Sequence, residues 1–447
     1  MPAAIRFLHA ADLHLEGAFR GLADAPTAVR DRLLEAPFLA AQRVFETALA
    51  ENVDFVLLCG DVLRPRDAGP RALKLLQKHF DRLGAAGVRI FWVGGAVDPP
   101  GSWPETLPLP EHVTVLPGER VGVESFSTRE GGFVRLIGRS GDGQPVKREA
   151  FERMAGKPGG KGDEAIIVAA HGPLASDPPP ETHIAYWALG GAHRRATPVR
   201  GRVAVHDSGT TQARSFAETG QHGVTLVTLD GVSKPQLKFL PVDDVRVFGE
   251  TLELAPTLTR RELRRHIDDR MSAQAATAGN RLCVARWRLS ASPDLAPALR
   301  RHHLTDQLLT ELRQAFNRGD TKVWTAEVAL HAPRQMPADW REEDSFRGDF
   351  LRSMAERKLS ELLAGRRGLI AAEAESDQTE SASAAEGDEF AHLPADVRRL
   401  IQRRMSSHPR DLKRNAALLG ADLLSGDADY SHAAPLTHAT GYQEAAS

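Results

Sequence analysis

Five side chains of this 447-residue chain have the types and positions that coordination chemistry asks for. Asp12 and His14 stand in A-D-L-H, Asp61 in C-G-D, His171 in A-A-H-G and His193 in G-A-H. Each follows an apolar run of strand-like composition, and loops at strand ends of layered α/β folds gather side chains into one crevice. Taken singly, such an aspartate is ordinarily a turn residue or helix cap, and such a histidine a satisfied surface group. The ordered set is far more specific. Carboxylate oxygen with imidazole nitrogen suits a borderline divalent ion such as Mn²⁺, Fe²⁺ or Zn²⁺, whereas Mg²⁺ and Ca²⁺ prefer oxygen shells. A central aspartate can bridge two ions about 3.5–4 Å apart, and such a pair can generate hydroxide and stabilise both oxygens of a phosphoryl displacement. Phosphoester hydrolysis is the reaction this set suits.

Positioning these groups needs strands that end at one edge. Short apolar runs alternate with longer amphipathic ones over the first 240 residues, the pattern of a layered α/β or α+β domain. Strands are expected at Ile5–His9, Phe55–Cys59, Val88–Val93, Val113–Leu116, Phe133–Leu136, Ala165–Ala170, Tyr186–Gly190, Val203–His206 and Gly223–Leu229. Helices are expected over about Ala28–Ala50 and Arg71–Leu83. From about Val242 the texture changes. Thr259 and Glu262 form a T-x-x-E capping box, and Leu263, Ile267 and Met271 share one helix face. With the apolar stretches Leu282–Leu289 and Val323–Leu330 around a helix near Asp306–Phe316, residues 242–335 read as a small α+β domain. A helical segment over 336–371, with its helix from Glu342 to about Leu363, leads to residues 372–390, which are Ala-, Ser- and acid-rich and cannot bury enough apolar surface to offset ordering. Two amphipathic helices are expected in 391–447, suited either to docking on a partner or to packing back on the chain.

Composition bounds the rest. Hydrophobic residues at 42% and charged residues at 26% are typical of globular chains and exclude a wholly disordered or fibrous one. No run approaches the roughly 18 apolar residues of a spanning helix, and MPAAIRFLHAADLH lacks the basic and apolar succession of an export signal, so no membrane contact and a cytoplasmic location are expected. Two distant cysteines, Cys59 and Cys283, make neither a disulfide framework nor a CxxC pair. A net charge of −2 gives no global field to draw in nucleic acid. Any polyanion site must then be local, with Arg194-Arg195, Arg260-Arg261-Arg264-Arg265 and Arg300-Arg301-His302-His303 as clusters that could touch phosphates, although such clusters are more often solvated faces. The glycine-rich Gly156–Gly162 lacks the spacing of a nucleotide cradle.

The segments FLHAADLHLEGAFRGL, VDFVLLCGDV, VDP, AAHGP, YWALGGAH and HDSGTTQARSFAETGQHGVTLVTLDG together resemble the calcineurin-like metallophosphoesterase superfamily, most closely its SbcD-like DNA repair exonuclease branch. The resemblance covers residues 1–241 closely and implies a four-layer α/β/β/α sandwich within an α+β class, a small α+β capping domain and a helical C-terminal tail. It implies that Asp12, His14, Asp61 and His193 hold one ion, Mn²⁺ by preference, with His171 and Asp61 serving a second position. Three places depart from the family. Ala96 stands where an asparagine ligand belongs, Gly191 where a histidine ligand belongs, and Val97 where the family carries the histidine thought to protonate the leaving oxygen. One well-held ion, a weak or empty second position and weakened hydrolysis follow as expectations. Asp61, Asp98 and His171 are the catalytic candidates, with Asp98 or His183 as substitutes for the missing acid and Arg214 as a phosphate contact. The implied partners are DNA ends and an SbcC-like ATPase, and a homodimer is compatible. A non-catalytic scaffold in a DNA repair complex, or a phosphoesterase for a nucleotide or phosphoprotein, are the alternatives.

Overall fold

The computed structural model describes residues 4–331 apart from 20, 21, 23, 157–163, 179–181, 231–233, 292–298 and 300–302, together with residues 338–356 and Ala417. The chain divides into two compact units, Met1–Ala332 and Pro333–Ser447.

Within the first unit, β1 (Ile5–Ala10), β2 (Phe55–Cys59), β3 (Arg89–Val93) and β4 (Val113–Leu116) run parallel. Antiparallel β11 (Gly223–Leu229) and β12 (Gln236–Pro241) extend them into a sheet ordered β12-β11-β1-β2-β3-β4. A second sheet holds β5 (Gly122–Ser127), β6 (Phe133–Arg139), β7 (Glu164–His171), β8 (Ile184–Gly190), β9 (Ala196–Arg200) and β10 (Ala204–Asp207) in the order β5-β6-β7-β8-β10-β9. Strands such as FVLLC are apolar throughout because both faces are covered. Helices α1 (Thr27–Ala50) and α2 (Pro65–Ala85) pack on the first sheet through Val44, Phe45, Leu76 and Phe80. Phe7, Phe55, Leu57, Ile167 and Tyr186 fill the space between the sheets. The outer face of the second sheet is closed by α3 (Arg148–Ala155) through Phe151. The layers are therefore α/β/β/α, and the two cysteines are buried and unpaired.

A third, parallel sheet follows, β13 (Val245–Leu254), β14 (Leu282–Ala291) and β15 (Val323–His331). Its α4 (Arg260–Ala278) opens with the full Thr259–Glu262 capping box, and with α5 (Leu304–Arg318) it covers one face through Leu263, Ile267, Leu308 and Leu312. The other face sets Val245, Val284 and Trp324 against Ala25, Val29 and Leu33. At this seam Asp244, fully buried, accepts from Arg32 and from Arg43 Nη2 (2.6 Å), both of α1. Its neighbour Asp243 accepts from Arg246 Nε at Oδ2 (2.9 Å) and from Arg281 Nε at its backbone oxygen (2.7 Å), with Arg281 Nε also 2.8 Å from Oδ1. In the second unit a 3₁₀ turn, Ala338–Arg341, precedes α6 (Phe346–Glu356), so the helix expected from Glu342 begins four residues later, and Leu351 and Met354 are buried. The rest of that helix, the acidic stretch 372–390, the tail helices of 391–447 and residues 157–162 lie outside the described residues. Among the described residues, no helix is long and apolar enough to cross a membrane.

Beneath the shared strand edge runs a buried polar line between the sheets. His9 donates from Nε2 to Leu189 O (3.0 Å) and accepts at Nδ1 from Tyr186 Oη (2.9 Å). His206 sits between Thr197 Oγ1 and Thr225 Oγ1, each at 2.8 Å. Burial holds His9 well below its ordinary range and His206 down to about 4.

Two outcomes follow. A folded-state pKa below the unfolded one means that His206 supports the fold above pH about 6.5 and loses that support as pH falls toward about 4. His206→Gln is therefore expected to lose roughly 2 kcal/mol less stability than the native protein between pH about 7.5 and 5; parallel denaturation profiles would contradict this. Asp244→Ala, which strands Arg32 and Arg43, is expected to cost roughly 3 kcal/mol in urea titrations, and a loss under about 0.5 kcal/mol would show the pairs to be idle.

Candidate metal centre

The parallel strands β1, β2 and β3 and, facing them, β7, β8 and β10 all end at one edge, and the chemistry collects there. Asp12 and His14 follow β1, Asp61 follows β2, and His193 follows β8. Ligand atoms of these four residues all lie within 4.8 Å of one another, and among the described residues no other such cluster occurs. His14 Nε2 is 3.2 Å from His193 Nε2 and 3.6 Å from Asp61 Oδ2.

The backbone at these positions is unusual. Asp12, His14, Asp61 and His193 all have positive φ, at 53°, 44°, 51° and 56°. Left-handed backbone is uncommon outside glycine, tolerated best by Asp, Asn and His, and held by surrounding structure at functional sites. Here the holding bonds are explicit: Asp12 N–H donates to Gly60 O (3.0 Å) and His14 N–H to Asp61 O (2.9 Å). Both Asp12 oxygens accept from Gly191 N–H at 3.0 Å, and Thr210 Oγ1 donates to Asp12 O.

Each metal-facing imidazole is backed by a glutamate. His14 Nδ1 donates to Glu16 Oε1 (3.0 Å) and His193 Nδ1 to Glu218 Oε1 (3.1 Å). With both Nδ1 hydrogens so used, a neutral ring has none at Nε2, and two bare nitrogens face each other. Their 3.2 Å separation is about that of two nitrogens sharing one ion at about 2.1 Å. The carboxylates make the same demand. Burial, then the nearby Asp207 carboxylate, raises Asp12 to about 8, which a cation at the centre would reverse. The donor set fits a single divalent ion.

His171 ends β7 and stands apart from the four. Its Nδ1 donates to Cys59 O (2.9 Å), leaving Nε2 bare and 3.7 Å from Asp61 Oδ2. Its ring fills the places where side chains at 60 and 191 would go: a Cβ on Gly60 (φ 87°) would meet Nδ1 at 2.2 Å, and one on Gly191 (φ 95°) would meet the ring at 3.1 Å. A side chain at 191 would therefore need the His171 ring to shift. Ala96 and Val97 sit at the rim, and Val97 presents its N–H to Asp61 Oδ1 at 3.0 Å.

Asp98 and His183, the two residues expected to stand in for an acid, have different surroundings. Asp98 accepts from Asp61 N–H, Val62 N–H, Gly95 N–H and Trp92 Nε1–H at 2.6–2.9 Å, so both oxygens are engaged in shaping the loops after β2 and β3. Burial raises it to about 6 against these bonds. His183 is exposed just before β8, whose far end reaches the centre, so seven residues of strand, roughly 20 Å, separate it from the ions' place. Arg214 lies within the centre, with Nη2 3.1 Å from His193 Nδ1. Sequence reasoning assigned nothing to Glu16, Glu218 or Asp207. Glu16 is two residues from His14 and carried a signal in its spacing; Glu218 and Asp207 come from turns whose paths only the fold reveals. Asp207 ends β10, accepts from Gly209 N–H (2.8 Å), and is raised to about 6 by burial.

Residues 5–204 match the calcineurin-like phosphoesterase family and residues 250–332 the family of the middle domain of metallophosphoesterase YhaO. The chain is similar to the uncharacterized metallophosphoesterase YhaO of Bacillus subtilis (strain 168), 26% identical over 374 residues, or 81% of this chain and 90% of that one. It also resembles, at a TM-score of 0.33 and 15% identity over 50% of this chain and 92% of the other, a dimetal phosphatase from Danio rerio. A conserved uncharacterized protein of Streptococcus pneumoniae TIGR4 matches at a TM-score of 0.27 and 13% identity, over 54% of this chain and 92% of that one. Asp12, His14, Asp61 and His193 all lie in residues 5–204, the region that matches the calcineurin-like phosphoesterase family.

Proposed function

We propose that this protein is a phosphodiesterase of DNA ends that binds one Mn²⁺ tightly and works with an SbcC-like ATPase in the cytoplasm. The observation that carries the hydrolase reading is the convergence of Asp12, His14, Asp61 and His193 on one point. The DNA reading is supported by the resemblance of the motifs and by the exposed cations Arg194 and Arg195 immediately after His193, a residue type that contacts phosphate backbones.

A bound divalent ion supplies Lewis acidity to a phosphoryl oxygen and to the attacking water. The residues do the rest. Asp12 and Asp61 lend negative charge, and the Nε2 atoms of His14 and His193 complete the donor set. His171, its Nδ1 committed to Cys59 O, keeps a bare Nε2 beside Asp61 and can take a proton from water. Arg194 and Arg214 orient phosphate oxygens. No imidazole stands at Val97, so the leaving oxygen lacks a proton donor, which matters more for a DNA alkoxide than for an activated aryl ester.

Metal analysis is expected to give one ion per chain, and Mn²⁺ at about 100 times its Kd to stabilise the fold by about 2.7 kcal/mol, an effect lost in His193→Ala; two tightly held ions would overturn the account of the second position. With saturating Mn²⁺ the protein is expected to cleave an aryl phosphodiester and, more slowly, DNA ends. Asp61→Asn abolishes both, and Val97→His raises DNA cleavage by a factor on the order of 10² with little change on the aryl ester. DNA affinity falls steeply with salt. Salt-insensitive action on small esters alone would favour a nucleotide or phosphoprotein substrate, and Mn²⁺ binding without any hydrolysis would make the chain a scaffold.

A further inference from the structure

The glutamates behind the two imidazoles are built alike. Glu16 gives Oε1 to His14 Nδ1 (3.0 Å) and holds Arg64 N–H with Oε2 (3.0 Å). Glu218 gives Oε1 to His193 Nδ1 (3.1 Å) and holds Arg214 N–H with Oε2 (2.7 Å). One oxygen of each is pinned by backbone, so the other is fixed in direction. Both side chains are largely buried, at 11% and 13% exposure. A carboxylate here requires Nδ1–H and so turns the Nε2 lone pair toward the centre.

At His193 a second group competes for the same atom. Arg214 Nη2 stands 3.1 Å from Nδ1 and 3.7 Å from Glu218 Oε1. A guanidinium only donates, so it can bond Nδ1 only when that nitrogen is bare, which in a neutral ring puts the hydrogen on Nε2 and blocks coordination. Glu218 selects the tautomer that binds an ion, and Arg214 the one that does not. Arg214 cannot satisfy both choices at once: its Nε is buried without a hydrogen-bond partner, and when Glu218 holds Nδ1–H its Nη2 has no acceptor on the ring.

We propose that Glu16 and Glu218 are positioning residues that fix the metal-binding tautomers of His14 and His193, and that Glu218 and Arg214 form a tautomer selector at His193, Glu218 favouring the ion-binding form and Arg214 the other. The proposal rests on the centre binding a divalent cation and is independent of whether the protein hydrolyses anything.

The test uses the full chain with ¹⁵N-labelled histidine, the His14 and His193 signals being assigned from single His→Gln variants. Long-range ¹H–¹⁵N spectra of the metal-free protein are expected to show an Nδ1 hydrogen on both rings. Glu218→Ala moves the His193 hydrogen off Nδ1 and weakens Mn²⁺ binding by calorimetry about 10–100-fold. Glu16→Ala weakens it similarly without moving the His193 signal. Adding Arg214→Ala to Glu218→Ala recovers at least about threefold of the affinity, because the competing donor is gone. Glu218→Gln, whose amide oxygen still accepts from Nδ1, stays within about fivefold of the native protein and serves where the alanine variant does not fold. A bare Nδ1 on His193 in the native protein, native-like Mn²⁺ affinity in Glu218→Ala, or a further loss on removing Arg214 would each overturn the proposal. Tight Mn²⁺ binding with no phosphoesterase activity would instead overturn the hydrolase reading and leave this one standing.

Discussion

Two carboxylates and two imidazole lone pairs are forced toward one point, and much of the architecture exists to keep them there. Like groups repel, and burial sharpens the repulsion because little water is left to screen it. Asp12 answers by holding its proton to about pH 8, and four backbones answer by adopting left-handed geometry, each at a cost of about 1–3 kcal/mol. A fold tolerates such a place only where the surroundings over-determine it. Here two sheets stack face to face, with Phe7, Phe55 and Tyr186 packed between them.

The loops are then fastened with polar bonds rather than apolar ones. Asp98 ties the turn after β2 to the turn after β3 through four hydrogen bonds. Gly191 brings its N–H onto both oxygens of Asp12, and the ring of His171 occupies the space that a side chain at 191 would need. Farther off, Asp243 and Asp244 bind four arginines where the third sheet meets α1, so that sheet is anchored to the same layer that carries β1 and Asp12.

Much of this was legible in the residues. Central parallel strands such as Phe55–Cys59 declare themselves because burial on both faces demands an unbroken apolar run, and the Thr259 capping box marks the start of α4 one residue later. The ligand candidates were visible as a set because each follows such a run. The edge strands β9 and β12 were not: they alternate exposed with half-buried residues, and their composition reads as loop. The second layer of the centre was equally hidden. Glu218 reaches His193 across 25 positions of chain, a distance that no local pattern encodes. Asp98 was visible as a residue, but its engagement by four donors depends on two turns meeting in space.

The left-handed geometry of the four ligands also limits how this centre can evolve. Glycine enters that region freely, and asparagine, aspartate and histidine enter it at lower cost than branched and bulky residues. Codon changes that leave the turn intact are therefore few at positions 12, 14, 61 and 193. A descendant abandoning metal would drift first toward asparagine or glycine there, keeping its shape while losing its chemistry, and the history of such a lineage would be written in those four columns before it reached the core.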